Sequence, residues 1–351
     1  MSNTGRLAHY GWDAAFAEHF AALGDPAAEP GRVIRVDRGR CDVVTDSGDT
    51  VPAHLTAEAS DVCTGDWVAL TTNAGRHTVT AVLPRRTAIV RASAGGDSGG
   101  QVLAANVTTV LIATPLDTDL NLGRTERFLT LAWDSGATPV IVLTKADLAD
   151  DLAAARQALA PVALGVDVIA VSVTTGEGLA DLRDRLTGTI AILGQSGAGK
   201  STLVNALLGD AAMAVGEVRA DGKGRHTTTT RELWPLPGGG CLIDTPGLRG
   251  VGLQDNFDGL RRTFADIEQL AEDCRFADCG HDTEPGCAVR AAIEDGRLSE
   301  RRLASFRKLL REAEWMAART DPLLRAERRR HWKALSQAGS AAAAAKRRRH
   351  P

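Results

Sequence analysis

A glycine-rich run that ends in lysine and serine has the residue types of a phosphate-binding loop. GQSGAGKS, residues 194–201, fits the pattern of Gly, any four residues, Gly, Lys, and Ser or Thr, between the strand-like TIAIL and the helix-like STLVNALLG. Its glycines let backbone N–H groups turn toward phosphates, Lys200 neutralises the β and γ oxygens, and the helix N-terminus adds partial positive charge. The sequence therefore predicts a nucleoside triphosphate site. The predicted contacts are Gly194, Gln195, Ser196, Gly197, Ala198, Gly199, Lys200, Ser201 and Thr202.

Two later segments are predicted to complete the phosphate site. CLIDTPG places Asp244 at the end of a short apolar strand and Gly247 three residues later, where its amide can sense a γ-phosphate. Ser201 and, through water, Asp244 are predicted to hold Mg²⁺ together with the bound nucleotide. The segment GKGRHTTTT adds Thr228 or a neighbouring threonine of the same run to the magnesium shell.

The segment TKAD, residues 144–147, indicates which base is bound. It ends the apolar strand TPVIVL, and the carboxylate of Asp147 can accept both N–H groups of the guanine Watson–Crick edge, which adenine does not offer. Thr144 stands where asparagine is usual, so we expect a modest loss of affinity and no change of base. VSVTTGEGL places Ser172 after the next strand, where a guanine-contacting loop normally follows. The predicted guanine-site residues are Thr144, Lys145, Ala146, Asp147 and Ser172.

The order of these motifs is unusual. In an ordinary GTPase the phosphate loop comes first, whereas here the guanine motifs at 144 and 172 precede the loop at 194. A parallel sheet tolerates this rearrangement because such sites lie at the carboxyl ends of neighbouring strands, whatever their connectivity. The sequence therefore predicts a circularly permuted GTPase domain. The segment after Asp244 runs into a Cys/His cluster, so we expect γ-phosphate contacts to reposition that cluster.

The cluster lies in CRFADCGHDTEPGC, with gaps of four, one and five residues between Cys274, Cys279, His281 and Cys287. Three thiolates and one imidazole fill a tetrahedral zinc shell without an open position, so we predict one structural Zn²⁺. The alternative is a set of free thiols beside a chance histidine. The other three cysteines lie in strand-like segments and are predicted to be buried thiols.

Composition and charge limit the class of protein. Of 351 residues, 44% are hydrophobic and 24% charged, which excludes a largely disordered chain. Neither an apolar run of about 20 residues nor a secretory signal is found, so we expect a cytoplasmic protein with no membrane partner. Residues 297–351 hold 16 Lys and Arg against 5 Asp and Glu, although the net charge of the chain is −3. This asymmetry favours a polyanionic partner; a solvated helix face with a frayed tail is the alternative.

The pattern of apolar runs and turns predicts a multidomain chain. An N-terminal extension, 1–30, precedes a small β-barrel, 31–90, whose five short strands fit either an oligonucleotide-binding or an SH3-like fold. Strands alternating with helices over 91–256 indicate an α/β domain with a parallel sheet, followed by a zinc-binding helical module, 257–335, and a basic disordered tail, 336–351. The predicted helices include 123–133, 148–159, 179–186, 257–270 and 299–335.

The barrel, the permuted order, GQSGAGKS, GRHTTTT, DTPG and the Cys/His spacing together resemble the RsgA or YjeQ family of ribosome small-subunit-dependent GTPases over about residues 31–310. The resemblance implies an oligonucleotide-binding-type barrel and action in late maturation of the small (30S) subunit, with GTP hydrolysis stimulated by that subunit. The expected partners are this subunit, its rRNA, GTP and GDP, and the expected state is a monomer. The alternatives are a nucleotide-gated RNA-binding module whose hydrolysis is incidental, and a GTPase of large-subunit assembly.

Catalysis is predicted to need help. Ras-like enzymes orient water with a glutamine after Asp-x-x-Gly, whereas Leu248 follows Gly247 here, so we expect slow intrinsic hydrolysis. His226, beside the threonines of GRHTTTT, is the internal candidate for the water-orienting catalytic residue. The alternative is that His226 positions this segment or touches RNA.

Overall fold

The computed structural model of the chain describes residues 5–91, 101–209, 231–244 and 257–320. The predictions for His226, the threonines 227–230, Gly247, Leu248 and the basic tail lie outside these residues.

Five strands close into a barrel. β1 pairs with both β2 and β4, β2 pairs with β3, and β4 pairs with β5. The barrel is completed by a parallel pair between β3 and β5. This pairing is typical of the oligonucleotide-binding fold, so the structure favours that fold over the SH3-like one. Val33, Val43, Val68 and Val79 point inward and are fully buried. The strands are β1 Ala28–Asp37, β2 Arg40–Thr45, β3 Thr50–Leu55, β4 Trp67–Asn73 and β5 Arg76–Val82.

The N-terminal segment packs on the outside of the barrel. A short 3-10 helix, Leu7–Tyr10, precedes α1, Ala14–Ala21. The centroids of the Trp12 and Trp67 rings lie 4.8 Å apart. Trp12 thereby covers an apolar face of the barrel that would otherwise be exposed to solvent. The N-terminal segment is therefore held to the barrel by packing against Trp67 of β4.

The α/β domain is a parallel sheet with helices on both faces. In the described residues the strand order is β10–β9–β8–β11–β13–β12, and neighbouring strands are parallel except β12, which is antiparallel to β13 and also pairs with β1 of the barrel. β6 and β7 form a separate antiparallel pair. Side chains of β8 alternate between two cores, Val110 and Ile112 on the face of α2 and Leu111 and Ala113 on the face of α4 and α5. The strands are β6 Ala88–Arg91, β7 Gln101–Ala105, β8 Thr109–Pro115, β9 Thr138–Thr144, β10 Asp167–Val171, β11 Thr189–Gly194, β12 Glu232–Pro235 and β13 Cys241–Asp244. The helices are α2 Leu122–Asp134, α3 Leu152–Leu159, α4 Leu179–Arg185 and α5 Lys200–Leu208.

This sheet carries the permuted connectivity that the motif order predicts. β11, which leads into the phosphate loop, lies between β8 and β13, although β8, β9 and β10 all precede it in the chain. The β6–β7 hairpin and β12 were not predicted from the sequence. The three cysteines outside the cluster are buried thiols, as predicted: Cys41, Cys63 and Cys241.

A buried arginine joins the barrel to the α/β sheet. Arg32 of β1 donates from Nη2 to Thr189 Oγ1 at 3.0 Å and from Nη1 to the Tyr10 carbonyl at 3.2 Å. Its guanidinium lies 4.6 Å from the Trp67 ring centroid. Burial lowers the pKa of Arg32 to about 10, so this cation stays charged and fixes three segments together at neutral pH.

In the part of the chain described after the sheet, four helices are found: α6 Asp258–Thr263, α7 Ala265–Glu272, α8 Ala288–Glu294 and α9 Glu300–Thr320. The single helix predicted for 257–270 is two helices, because Phe264 leaves the helical conformation and its fully buried ring packs 5.4 Å from that of Phe306. Asp134, at the end of α2, accepts the N–H of Gly259 at 2.8 Å, and burial raises the pKa of this carboxyl to about 7. Within the described ranges, none of the helices has the length and apolarity to cross a bilayer.

Candidate nucleotide and metal sites

The phosphate loop connects β11 to α5. Gly197 and Gly199 adopt φ values of +80° and +77°, which favour glycine. Gly194 lies against β8, where an added Cβ would come 2.7 Å from the Ala113 carbonyl oxygen. Glycine is therefore required at these points by backbone conformation and by the close approach of the neighbouring strand.

Lys200 begins α5 and turns back over the loop. Its Nζ donates to the carbonyl oxygens of Gly194, at 2.9 Å, and Gln195, at 2.6 Å. Ser201 follows on the first turn of the same helix. A cation and a hydroxyl are thus presented with the helix N-terminus, an arrangement that suits phosphate oxygens.

The guanine motif meets this loop directly. Thr144 ends β9, is 5% exposed, and donates from Oγ1 to the Ala198 carbonyl at 2.8 Å. Lys145 follows with φ +58°, and its Nζ lies 2.5 Å from Asp117 Oδ2. Asp147 sits in the exposed 3-10 turn that comes next. The threonine that departs from the usual asparagine thus ties the guanine motif to the phosphate loop.

The loop after β10, which contains Ser172, is held by hydrogen bonds within the loop. Ser172 is fully buried, its N–H donates to the Glu177 carbonyl, and its Oγ accepts the N–H of Thr175 at 3.1 Å. Gly178 ends the loop with φ +73°, and an added Cβ would clash with the Ala170 carbonyl. The loop therefore holds its shape at the end of β10.

The structure brings these segments to one edge of the sheet. Thr144, Ser172 and Gly194 lie at or just after the carboxyl ends of β9, β10 and β11, and Asp244 ends β13 beside β11. Ligands of open α/β sheets bind at this edge. The described segments of the predicted guanine and phosphate sites therefore lie side by side at one edge of the sheet.

Two residues of this edge were missed by sequence reasoning. Asp117, in the loop after β8, pairs with Lys145 as described above, and Arg124 of α2 donates from Nη1 to Gln195 Oε1. Neither belongs to a fixed motif. The signal that identifies them is their place after β8, whose carboxyl end lies beside that of β11.

The Cys/His cluster has the geometry of a metal site. The ligand atoms of Cys274, Cys279, His281 and Cys287 all lie within 4.8 Å of one another. His281 Nδ1 is 3.6 Å from Cys274 Sγ and 3.5 Å from Cys287 Sγ, and these two sulfurs are 3.9 Å apart. Tetrahedral zinc, with Zn–S of about 2.3 Å and Zn–N of about 2.0 Å, separates neighbouring donors by roughly 3.5–3.8 Å. The distances among Cys274, His281 and Cys287 therefore fit tetrahedral zinc, and Cys279, within 4.8 Å of each, supplies the fourth donor of a closed shell.

Backbone and side-chain contacts shape the metal loop. Glu284 accepts the N–H of Gly280 at 3.0 Å and that of Asp282 at 2.7 Å. Arg307 of α9 donates to the His281 carbonyl at 2.7 Å. Burial, reinforced by the Arg307 cation, lowers the pKa of His281 and keeps the imidazole neutral, as a metal ligand must be. These contacts hold His281 at φ +58°, a conformation that few non-glycine residues adopt.

A phosphate loop and a guanine motif at the carboxyl edge of a parallel sheet, in permuted order and beside a five-stranded barrel, define a circularly permuted P-loop GTPase. Comparisons agree with this class. The sequence model of the RsgA GTPase family matches residues 82–254. The small ribosomal subunit biogenesis GTPase RsgA of Streptomyces coelicolor is 54% identical over 99% of this chain and 97% of its own length. The chain belongs to the RsgA GTPase family.

Solved structures show the same fold. YjeQ from Thermotoga maritima matches with a TM-score of 0.62 and 25% identity over 82% of this chain and 98% of its own. YloQ, described as a circularly permuted GTPase, matches in fold with a TM-score of 0.61 and 24% identity over 82% and 95% of the two chains. The predicted family, fold class and GTPase class are confirmed.

Proposed function

We propose that this GTPase acts in late maturation of the small ribosomal subunit, which it binds through rRNA and which stimulates its GTP hydrolysis. The observation that carries the proposal is the whole-length likeness to a protein named for small-subunit biogenesis. The described fold supports it, because a five-stranded barrel of a nucleic-acid-binding type lies on the same chain as the nucleotide edge and the Cys/His cluster.

We assign the nucleotide roles as the sequence predicts them. Asp147 accepts the guanine N–H groups, Lys145 lies along the base, and Lys200 neutralises the phosphates. Ser201, with Asp244 through water and Thr228 or a neighbour, would hold Mg²⁺, which offsets charge on the transferred phosphoryl group when bound. The hydrogen bond from Thr144 to the Ala198 carbonyl supports this assignment, because one nucleotide must contact both the guanine motif and the phosphate loop.

His226 is our proposed water-orienting residue, placed in GRHTTTT between the phosphate loop and DTPG. Since Leu248 has no group that can orient water, the hydrolysis step depends on a histidine brought in by its segment or on a group of the ribosome. Intrinsic turnover is accordingly slow in this proposal.

We propose that the metal is one structural Zn²⁺. The four ligands would fill a tetrahedral shell, and the distances among Cys274, His281 and Cys287 fit the ion. Burial raises the pKa of the Cys274 thiol, but hydrogen bonds from the backbone N–H groups of Val289 and Ala288 lower it, and the net shift is downward. The lowered pKa favours the thiolate form of Cys274. The ion would fix the loop between α7 and α8, a segment too short to form its own core.

The remaining proposals concern partners and place. The basic chain end and the barrel contact rRNA, and the protein is a cytoplasmic monomer in this account. The support is the charge asymmetry, with 16 Lys and Arg in residues 297–351.

Co-sedimentation tests the proposed partner. The full chain is mixed with purified small or large ribosomal subunits, in the presence of GDP or a non-hydrolysable GTP analogue, at two salt concentrations. We expect binding to small subunits, stronger with the analogue and weaker at higher salt. Binding to large subunits alone would overturn the proposed partner, and equal binding with both nucleotides would contradict a nucleotide-controlled interaction.

A further inference from the structure

Helix α2 contacts the nucleotide edge at its beginning. Asn121 caps this helix by accepting the N–H of Arg124 at 3.0 Å, and Arg124 in turn donates to the side chain of Gln195 in the phosphate loop. A cation on the first turn of a helix opposes the helix dipole, so the contact with the phosphate loop is not explained by helix stability. A side-chain hydrogen bond therefore joins the first turn of α2 to the predicted phosphate loop.

One half-turn further on, α2 enters a buried ionic network. Glu126 is fully buried, and its Oε1 accepts Arg302 Nη1 at 2.8 Å and Arg301 Nη2 at 2.9 Å, while Oε2 accepts Arg301 Nη1 at 2.9 Å. Both arginines belong to α9. Charges removed from water are costly unless their geometry is nearly complete, so this contact allows little relative displacement of α2 and α9.

Arg302 extends the network to the two intervening helices. It forms two hydrogen bonds to Asp266 of α7, at 2.9 and 3.0 Å, and one to the Thr263 carbonyl at the end of α6, at 2.7 Å. Its guanidinium also lies 4.5 Å from the Phe264 ring centroid. A second bidentate pair, Arg127 with Glu312 at 2.6 Å, joins α2 and α9 further along. α2 and α9 are thus held as one body.

The same α9 reaches the metal loop. Arg307, five residues after Arg302 on an unbroken helix, donates to the carbonyl oxygens of His281, a metal-site residue, and of Gly280. Contacts that begin at Gln195 therefore continue through α2 and α9 to a ligand of the cluster, without use of the segment that follows Asp244.

We infer that α2 and α9 form a path by which nucleotide binding and metal binding change each other's affinity, with Glu126 as the positioning residue at the joint. The inference rests on the proposed nucleotide and zinc sites and adds the route between them. Coupling of this kind is reciprocal: if nucleotide binding changes the zinc affinity by some factor, zinc must change the nucleotide affinity by the same factor.

The test measures this factor in both directions on the full chain. Zinc affinity is determined by competition with a chromophoric chelator, without nucleotide and with saturating GDP or a non-hydrolysable GTP analogue. The affinity for a fluorescent form of the more strongly coupled nucleotide is then measured on zinc-loaded and zinc-stripped protein. For the wild type we expect a change of about fivefold or more, the lower end of typical coupling, and the same factor in the reverse experiment.

Glu126→Gln and Glu300→Gln form a matched pair of variants. Glu300 also accepts two hydrogen bonds from one arginine, Arg290, at 2.9 and 3.2 Å, but this pair joins α8 to α9 without touching α2. We expect Glu126→Gln to bind zinc and nucleotide with a coupling factor below about twofold, and Glu300→Gln to keep the wild-type factor. If Glu126→Gln does not fold, Arg124→Met replaces it with the same expectation, because it removes the contact with Gln195 at the start of the path and the Arg124 side chain is exposed.

The results of these measurements distinguish failure of the path through α2 from failure of the coupling and from failure of the proposed binding sites. A Glu126→Gln protein, or its Arg124→Met substitute, that keeps the wild-type coupling factor overturns the path through α2, as does an equal loss of coupling in Glu300→Gln. A wild type that binds both ligands without coupling overturns the inference and leaves the proposed function standing. A wild type that binds no GTP or no zinc overturns the proposed sites themselves.

Discussion

Removal of the Thr144 hydroxyl should weaken nucleotide binding without unfolding the protein. Thr144 Oγ1 donates to the Ala198 carbonyl at 2.8 Å, and both residues are buried. In Thr144→Val the side chain keeps its shape, but the carbonyl of the phosphate loop loses this donor. A single nucleotide must contact both segments, so the loss loosens the site at its centre.

The size of the effect follows from the burial of this bond. A buried acceptor left without its partner costs about 1–3 kcal/mol. The whole of that cost lowers the free energy of unfolding. Only part of it lowers the affinity for GDP, namely the part needed to bring the two segments back into alignment when the nucleotide binds. We therefore expect the lower part of the range in affinity, about 1.4 kcal/mol, which is a roughly tenfold rise in the Kd for GDP.

Titration calorimetry with GDP on three variants measures this effect. Thr144→Ser keeps the hydroxyl and should bind within about twofold of wild type, since most of the bond is preserved. Thr144→Asn restores the residue usual at this position and should bind more tightly than wild type. If Thr144→Val is folded and binds GDP as wild type does, the hydrogen bond to Ala198 does not align the site.

Three further predictions concern single side chains. Asp147→Asn should lose the preference for GTP over ATP, measured by calorimetry, because an amide cannot accept both guanine N–H groups; an unchanged preference would move base recognition elsewhere. The folded-state pKa of Asp134, about 7, exceeds the unfolded value of 3.8, so stability falls as pH rises between these values. Asp134→Asn should therefore be more stable than wild type in urea unfolding at pH 8, and the gain should shrink toward pH 4; a gain independent of pH would refute this reasoning. Glu284→Ala should weaken zinc binding by about tenfold or more in chelator competition, because the loop N–H groups lose their acceptor, and an unchanged affinity would show that the loop holds itself.

The sequence was most informative where chemistry fixes the spacing of residues. The phosphate loop needs glycines, a lysine and a serine at set distances, and the metal cluster needs four donors in one short loop, so both could be found without a structure. The helices and strands around them followed from apolar periodicity, as α2 and β9 show. The permuted order could be predicted because the order of the motifs along the chain is given directly by the sequence.

What the sequence did not predict depends on pairing between distant segments. The barrel type is decided by the parallel β3–β5 pair, and strand patterns do not encode which strands adjoin. Glu126 and Arg302, 176 residues apart, are ordinary charges of two helices until the fold buries them together. Thr144 was expected to be a weaker substitute for asparagine, and its bond to Ala198 became apparent only when the two loops were placed side by side.

The rate of GTP hydrolysis with separated ribosomal subunits tests the central claim most directly. Released phosphate is measured for the full chain alone, with purified small subunits and with large subunits, at saturating GTP. We predict slow turnover alone, a rise of more than about tenfold with small subunits, equivalent to about 1.4 kcal/mol of barrier, and no rise with large subunits. Turnover that is unchanged by small subunits, or equally stimulated by both, would contradict a GTPase that acts on the small subunit.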